Sequence, residues 1–178
     1  SEENLIKIFK IFGDEKFSKP IVKKIVETRK YKVIKTEDLT KIIDSVKKYK
    51  KSKINNSTKI FQALRIFVNE EISELINGLI NAFNTIPIGG VLAVITFHSL
   101  EDKIVKFFFK NYSENKNLSR YVPFKDEKIR CFNLKQKKPI VPSLDELKKN
   151  PPSRSAKLRY AFKIDNRCEF NELKKKFK

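Results

Sequence analysis

Val91-Leu92-Ala93-Val94-Ile95-Thr96-Phe97 runs straight into His98-Ser99-Leu100-Glu101-Asp102, and this junction decides how the chain is read. The seven apolar and β-branched residues, preceded by the turn Pro87-Ile88-Gly89-Gly90, predict a core strand buried on both faces. Ser99 stands three residues before Asp102, the spacing of a capping box, and Ile104, Phe107 and Phe108 follow at helical intervals. A helix therefore starts at the polar cluster. In open α/β sheets ligands bind at this strand edge, because strand ends and helix starts leave backbone groups and short side chains facing a crevice.

Upstream of the junction, Phe61, Leu64, Val68, Ile72, Leu75, Leu79 and Phe83 recur at spacings of three and four. They predict one core-facing helix of about seven turns from Ser57 to Asn84, with Gln62, Arg65 and Asn69 on its polar side. The segment before it, from Lys47 to Asn56, is Lys-rich and reads either as a solvated loop or as a phosphate-contacting arm with Tyr49 available to stack. The first residues form three amphipathic helical patterns. Leu5, Ile8, Phe9 and Phe12 make one face, stopped at Gly13; Phe17, Ile21, Ile25 and Val26 make a second; Leu39, Ile42, Ile43 and Val46, N-capped by Thr36, make a third.

Downstream, the helix from Ser99 ends near Tyr112, and Lys128 to Leu134 can form a strand. Ser143 and Glu146 repeat the capping-box spacing at the start of a short helix that Pro151-Pro152 terminates. Ala156, Leu158, Tyr160, Phe162 and Ile164 then alternate with Ser155, Lys157, Arg159 and Lys163, a strand with one apolar face. The basic tail after Asp165 is expected to fray. This order reads as the second half of a doubly wound α/β domain, too poor in strands at its start to be the whole of one.

With 40% hydrophobic residues and fifteen Phe, the 178-residue chain can bury a core in spite of its charge. Its net charge of +19 points to a polyanionic partner, although abundant Lys, Ile, Asn and Phe together also fit a lysine-rich proteome. No apolar run reaches the ~18 residues of a spanning helix. Cys131, Cys168 and the single His98 cannot supply a four-ligand zinc site, so free thiols in a reducing compartment, and no metal, are expected. No secretory signal is visible at the start. A first residue Ser and the absence of Met fit either a removed initiator or a fragment.

Several ordered stretches carry a resemblance. They are Ile60-Phe61-Gln62-Ala63-Leu64-Arg65-Ile66, Val68-Asn69-Glu70-Glu71, Gly89-Gly90 and the run from Ile95 to Lys106. Lys138-Pro139-Ile140, Pro142-Ser143, Asn150-Pro151 and Arg154-Ser155-Ala156-Lys157-Leu158-Arg159 follow in order, and Ser1 to Leu5 with Gly13 to Ser18 matches at the beginning. Together they closely resemble the bacterial methyltransferase family that methylates N4 of a cytidine in the decoding centre of small-subunit ribosomal RNA. The resemblance implies an α/β fold: the carboxyl-terminal half of a Rossmann-like class I methyltransferase domain plus a helical insertion subdomain. It divides the chain into residues 1–56 (insertion and connector), 57–165 (second half of the domain) and 166–178 (basic tail). It also implies S-adenosylmethionine as cofactor and ribosomal RNA or a ribosomal particle as partner, in the cytoplasm and away from any membrane.

The family's cofactor loop is glycine-rich and follows its first strand, whereas Gly13, Gly78, Gly89 and Gly90 form no such loop. The cofactor site is therefore expected outside these residues. The lead-in Asn55-Asn56-Ser57-Thr58-Lys59 departs from a basic, proline-led pattern, which puts any role of the connector in doubt. Asn150-Pro151-Pro152-Ser153 has the look of an amino-methyltransferase motif but lacks its aromatic residue, and fits a helix stop better. His98, Glu101 and Asp102 are candidate acceptors that would localise the lone pair of the cytosine amine, or else they close the strand end and cap the helix. Arg65, Asn69, Ser99, Arg154, Lys157 and Arg159 are candidates for binding the RNA, with a solvated or capping role as the alternative. A non-catalytic RNA-binding paralogue, or a subunit complementing a separate cofactor-binding chain, is the rival reading.

Overall fold

A computed structural model describes residues 1–47, 55–113 and 129–177. The chain forms two compact units, Ser1–Glu71 and Ile72–Lys178.

The first unit is helical, with α1 at Glu2–Ile11, α2 at Ser18–Thr28, α3 at Thr36–Val46 and α4 at Thr58–Val68. Ile8, Phe9, Ile21, Val22, Ile25, Leu39, Ile43, Ile60 and Ala63 make its core, so the predicted faces of the first three helices are the buried ones except at Phe17, which stands before α2 and is 49% exposed. Gly13 lies where α1 meets α4. A Cβ there would stand 2.6 Å from the Lys59 carbonyl and 2.9 Å from that of Phe9, so glycine is required by close approach. At the start of α3 the residue before Thr36 is the cap: the Asp38 carboxylate accepts the Lys35 N–H at 3.1 Å. Lys47, expected in a solvated connector, is tucked in. Its ammonium pairs with the buried Glu15 carboxylate and donates to the Asn56 carbonyl at 2.6 Å. Asn55 Oδ1 accepts from both Ser57 N–H and Ser57 Oγ, forming the turn before α4. Tyr49 and the remaining connector lysines lie outside the described residues.

The single long helix expected from Ser57 to Asn84 is two helices, α4 and α5 (Glu71–Thr85). The chain turns at Asn69 and Glu70, where Glu70 takes φ 51°, the left-handed region in which a helix cannot continue. The spacing of three and four continues across the break, from Val68 to Ile72. In α4 the buried positions are Ile60, Ala63 and Ile66, one place away from the predicted stripe, and Val68 is 73% exposed. In α5 the predicted Ile72, Leu79 and Phe83 are buried, with Ile76 buried in place of the partly covered Leu75.

The second unit contains α5, β1 (Val91–Thr96), α6 (Ser99–Asn111), β2 (Phe132–Asn133), α7 (Leu144–Lys149), a 3₁₀ turn at Pro151–Ser155, β3 (Lys157–Lys163) and α8 (Asn171–Phe177). The strands pair antiparallel in the order β1-β3-β2. Gly89, at φ 86°, makes the turn before β1 and donates to the Lys163 carbonyl at 2.8 Å. β3 pairs Val91 with Phe162, Ala93 with Tyr160 and Ile95 with Leu158 on one face. Leu92 with Ala161, Val94 with Arg159, and Thr96 with Lys157 occupy the other.

This register corrects two expectations. β1 is buried on one face only: Leu92 and Thr96 are covered, but Ile95 is 59% exposed and the following Phe97 58%. In β3 the alternation is present but its face is inverted. Arg159, Ala161 and Lys163 are buried, whereas Leu158, Tyr160 and Phe162 lie on the less covered side. The reason is chemical pairing. Lys163, 2% exposed, donates to the carbonyls of Phe83 at 2.6 Å and Ile86 at 2.8 Å, at the carboxyl end of α5, with its ammonium 4.2 Å from the Phe83 ring. Orphan carbonyls and the negative end of the helix dipole thus receive a cation.

The covered side holds an aromatic core. Phe132 meets Phe83, Phe108 and Phe109 at 5.2–5.4 Å between ring centres, and Phe170 packs on Tyr112 at 4.8 Å. Phe170 belongs to the tail that was expected to fray. Instead α8 forms there, with Leu173 buried and Phe177 edge-on to Phe107. Cys131 and Cys168, expected as free thiols, are joined in a disulfide that ties this tail to the start of β2. No helix among the described residues is long and apolar enough to cross a membrane.

Candidate functional site

The end of β1 and the first turn of α6 form the corner on which the sequence converges. His98, in extended backbone conformation, is the N-cap of α6. Its Nδ1 accepts the Glu101 N–H at 3.3 Å, while Glu101 Oε2 accepts the N–H groups of Phe97 at 2.9 Å and His98 at 3.3 Å. The capping box is therefore His98 with Glu101, not Ser99 with Asp102. His98 Nε2 lies 3.2 Å from Glu101 Oε1. Burial pushes the Glu101 carboxyl up, but hydrogen bonds from His98 and from the Phe97 N–H outweigh it and hold the group below its ordinary value.

Asp102 turns the other way, towards β3. Its carboxylate receives Arg159 Nε at 2.7 Å, Arg159 Nη2 at 3.3 Å and Lys157 Nζ at 3.2 Å. Burial again pushes up, and the Arg159 and Lys157 hydrogen bonds outweigh it, so Asp102 stays ionised well into acid. Arg159 is 9% exposed and its Nη1 donates to the Lys137 carbonyl at 3.0 Å. Its guanidinium is thus engaged inside the unit. Lys157 keeps 40% of its side chain exposed. Ser99 and Arg154 are exposed, and neither side chain has a partner among the described residues. Ser153 is buried and donates to the Asn150 carbonyl at 2.7 Å, so the Asn150-Pro151-Pro152 stretch is a helix stop.

The corner thus brings together His98, Ser99, Glu101, Asp102, Lys157 and Arg159. Arg65 and Asn69 belong to the first unit and converge on Glu71, with Arg65 Nε and Nη2 at 2.7 and 3.1 Å and Asn69 Nδ2 at 3.4 Å. Sequence reasoning missed Lys163, because strand alternation places a lysine outside by default. It also missed the His98–Glu101 cap, although the spacing of that pair could have shown it.

None of the glycines makes a cofactor cradle. Gly13 is packed between helices, Gly78 lies within α5, and Gly89 and Gly90 precede β1 instead of following a strand. The residues present do not fit an S-adenosylmethionine site of the glycine-loop kind.

Residues 1–164 match the model of the MraW methylase family. The chain belongs to that family. Curated relatives named Ribosomal RNA small subunit methyltransferase H agree with it. The one from Oceanobacillus iheyensis is 44% identical over 168 residues, 92% of this chain and 52% of that protein. Those from Sulfurihydrogenibium sp. and Afipia carboxidovorans are 42% and 41% identical, over 92% and 93% of this chain and 52% and 50% of their own lengths. The chain spans about half the length of these MraW methylase relatives. Its mixed helix and strand composition is consistent with an α/β methyltransferase.

Proposed function

We propose that the chain is the carboxyl-terminal, substrate-facing part of an S-adenosylmethionine-dependent methyltransferase acting on N4 of a cytidine in small-subunit ribosomal RNA, in the cytoplasm. Residues 57–165 supply the end of a Rossmann-like sheet and residues 1–56 the helical insertion with its connector. The observation that carries this reading is the bare side of β1. Val91, Ile95 and Phe97 are exposed, and β1 is an edge strand bonded on one side only among the described residues. An open apolar edge is a surface that native sheets cover. A cofactor-binding half, lying outside these residues, is its proposed cover.

At the corner, Ser99 and Lys157 are the side chains available to hold the nucleotide and its flanking phosphates, with Arg154 offered from the 3₁₀ turn before β3. Arg159 and Asp102 position Lys157 and the start of α6, and Arg65 with Asn69 serve the RNA from the first unit. The cytosine amine is a poor nucleophile because its lone pair is delocalised into the ring. A hydrogen-bond acceptor localises it, and Glu101 Oε1, the carboxylate oxygen not used by the backbone cap, is the proposed acceptor.

A specific observation favours the rival, a non-catalytic RNA-binding protein: His98, Glu101 and Asp102 all have internal partners. Methyl incorporation into small-subunit particles separates the two, using this chain alone and then with the amino-terminal half of the Oceanobacillus iheyensis relative added. The expected result is no S-adenosylmethionine binding by the chain alone and methylation of a cytidine N4 once the halves are combined. Micromolar cofactor binding by the chain alone overturns the assignment of that site elsewhere. RNA binding without methylation in the combined sample establishes the rival.

A further inference from the structure

Both carboxylates of α6 are turned inward, Glu101 to its own cap and Asp102 to β3. The outer side of the helix carries Lys103, Lys106 and Lys110, a stripe about 10 Å long at ~1.5 Å per residue. Clefts flank it on both sides. One, of about 360 Å³, has Phe107 and Phe177 beneath Lys103, Lys106, Lys110 and Lys176. The other, of about 350 Å³, shares Lys106 and Lys110 and adds Lys137 and Lys138 around Phe109 and Leu134. The Lys176 ammonium sits 4.0 Å from the centre of the Phe107 ring, which holds it at the cleft.

Two acids of this unit have partners of their own. Asp165 is paired with Arg167, and Glu172 accepts from Asn111 at 2.9 Å. Lys103, Lys106, Lys138 and Lys176 form no ion pair among the described residues. Like charges three and four residues apart repel, so the stripe weakens the isolated helix and gains most from a polyanion. An anionic membrane would need apolar side chains to insert; Ile104, Val105, Phe108 and Phe109 of α6 are at most 1% exposed, and Phe107 and Phe177 in the cleft are only partly exposed. A phosphate backbone needs only the cations.

We propose that the lysine face of α6, with Lys176 on one flank and Lys137 and Lys138 on the other, is a docking surface for the RNA backbone, apart from the corner at the start of the same helix. It rests on the reading of ribosomal RNA as substrate, but it is tested by affinity and not by methylation. Binding of the 178-residue chain to small-subunit ribosomal RNA is measured by fluorescence anisotropy across a salt series. The triple variant Lys103→Ser, Lys106→Ser, Lys176→Ser should raise Kd at least ~tenfold and flatten the log Kd against log salt slope by roughly 2–3, at ~0.7–0.9 per lost phosphate contact. Lys7→Ser, Lys10→Ser, Lys30→Ser removes the same charge elsewhere and should change Kd less than about twofold. The corresponding triple Arg variant at 103, 106 and 176 should bind as the parent does, which separates charge from misfolding. Equal losses in the two Ser triples, or no loss in the first, overturn the proposal. So does a loss confined to phosphatidylglycerol vesicles. Normal RNA affinity changes with no methylation by the combined halves would instead defeat the enzymatic reading alone.

Discussion

Asp102 illustrates how a single carboxylate is assigned by its tertiary partners. Two pairs at capping-box spacing overlap here, His98 with Glu101 and Ser99 with Asp102; spacing offers both and does not rank them. Arg159 and Lys157 draw Asp102 away to β3 and leave the cap to the other pair. At Ser143 no such competitor exists, and the hydroxyl caps Glu146 N–H at 3.2 Å as the sequence indicates. A pH dependence follows from the corner. Asp102 and Glu101 are held below their ordinary values, so the folded state binds fewer protons than the unfolded one near pH ~4. Their stabilisation is complete above that pH and is lost as pH falls through the lowered values. Asp165, held at about 2 by Arg167, titrates in the same direction. Asp102→Asn should therefore flatten, without abolishing, the acid limb of urea midpoints. At neutral pH it should cost ~2–3 kcal/mol, below the range for a fully buried pair because Lys157 is partly solvated. An unchanged acid limb would show that the Asp102 pair contributes nothing.

At the scale of elements, the period of each segment was legible and its boundary or face often was not. Alternation located β3, but the face was decided by what waits beneath it, a carboxylate for Arg159 and helix carbonyls for Lys163. The α4 and α5 stripes read as one because residues on either side of a left-handed Glu70 happen to keep helical spacing. Lys163 offers the direct test. In Lys163→Met the stem volume stays and the donors go, leaving the Phe83 and Ile86 carbonyls without their cation. The expected cost is about 1–3 kcal/mol of unfolding free energy by urea titration, the usual penalty for unsatisfied buried polar groups. A variant as stable as the parent would mean that water replaces the ammonium at the end of α5. Corner chemistry is set through the same strand, because Arg159 and Lys163 lie on one face of β3.

For the whole molecule, the three amphipathic helices at the start and the scarcity of strands followed from hydrophobic periodicity, whereas the break between α4 and α5, where the two units divide, and the cysteine pairing did not. Two cysteines 37 residues apart carry no sequence signal of proximity, and their meeting depends on Phe170 and Leu173 docking the tail into the aromatic core. Free thiols in a reducing compartment were the simple expectation from two cysteines and one histidine. The bond lies wholly within Ile72–Lys178, so its contribution should be confined there. On the loop-entropy account, closing a 37-residue loop stabilises by ~3–4 kcal/mol, worth roughly 10–20 °C in a unit of this size. Calorimetry of the oxidised chain should resolve two transitions. Adding a phosphine reductant, or substituting Cys168→Ser, should lower one by that amount and leave the other in place. If neither transition moves, the thiols are free or the bond adds nothing; if both move together, the two units unfold as one. A shift of the second alone would show that α8, and with it Lys176 at the edge of the lysine face, is held by a bond that a reductant can open.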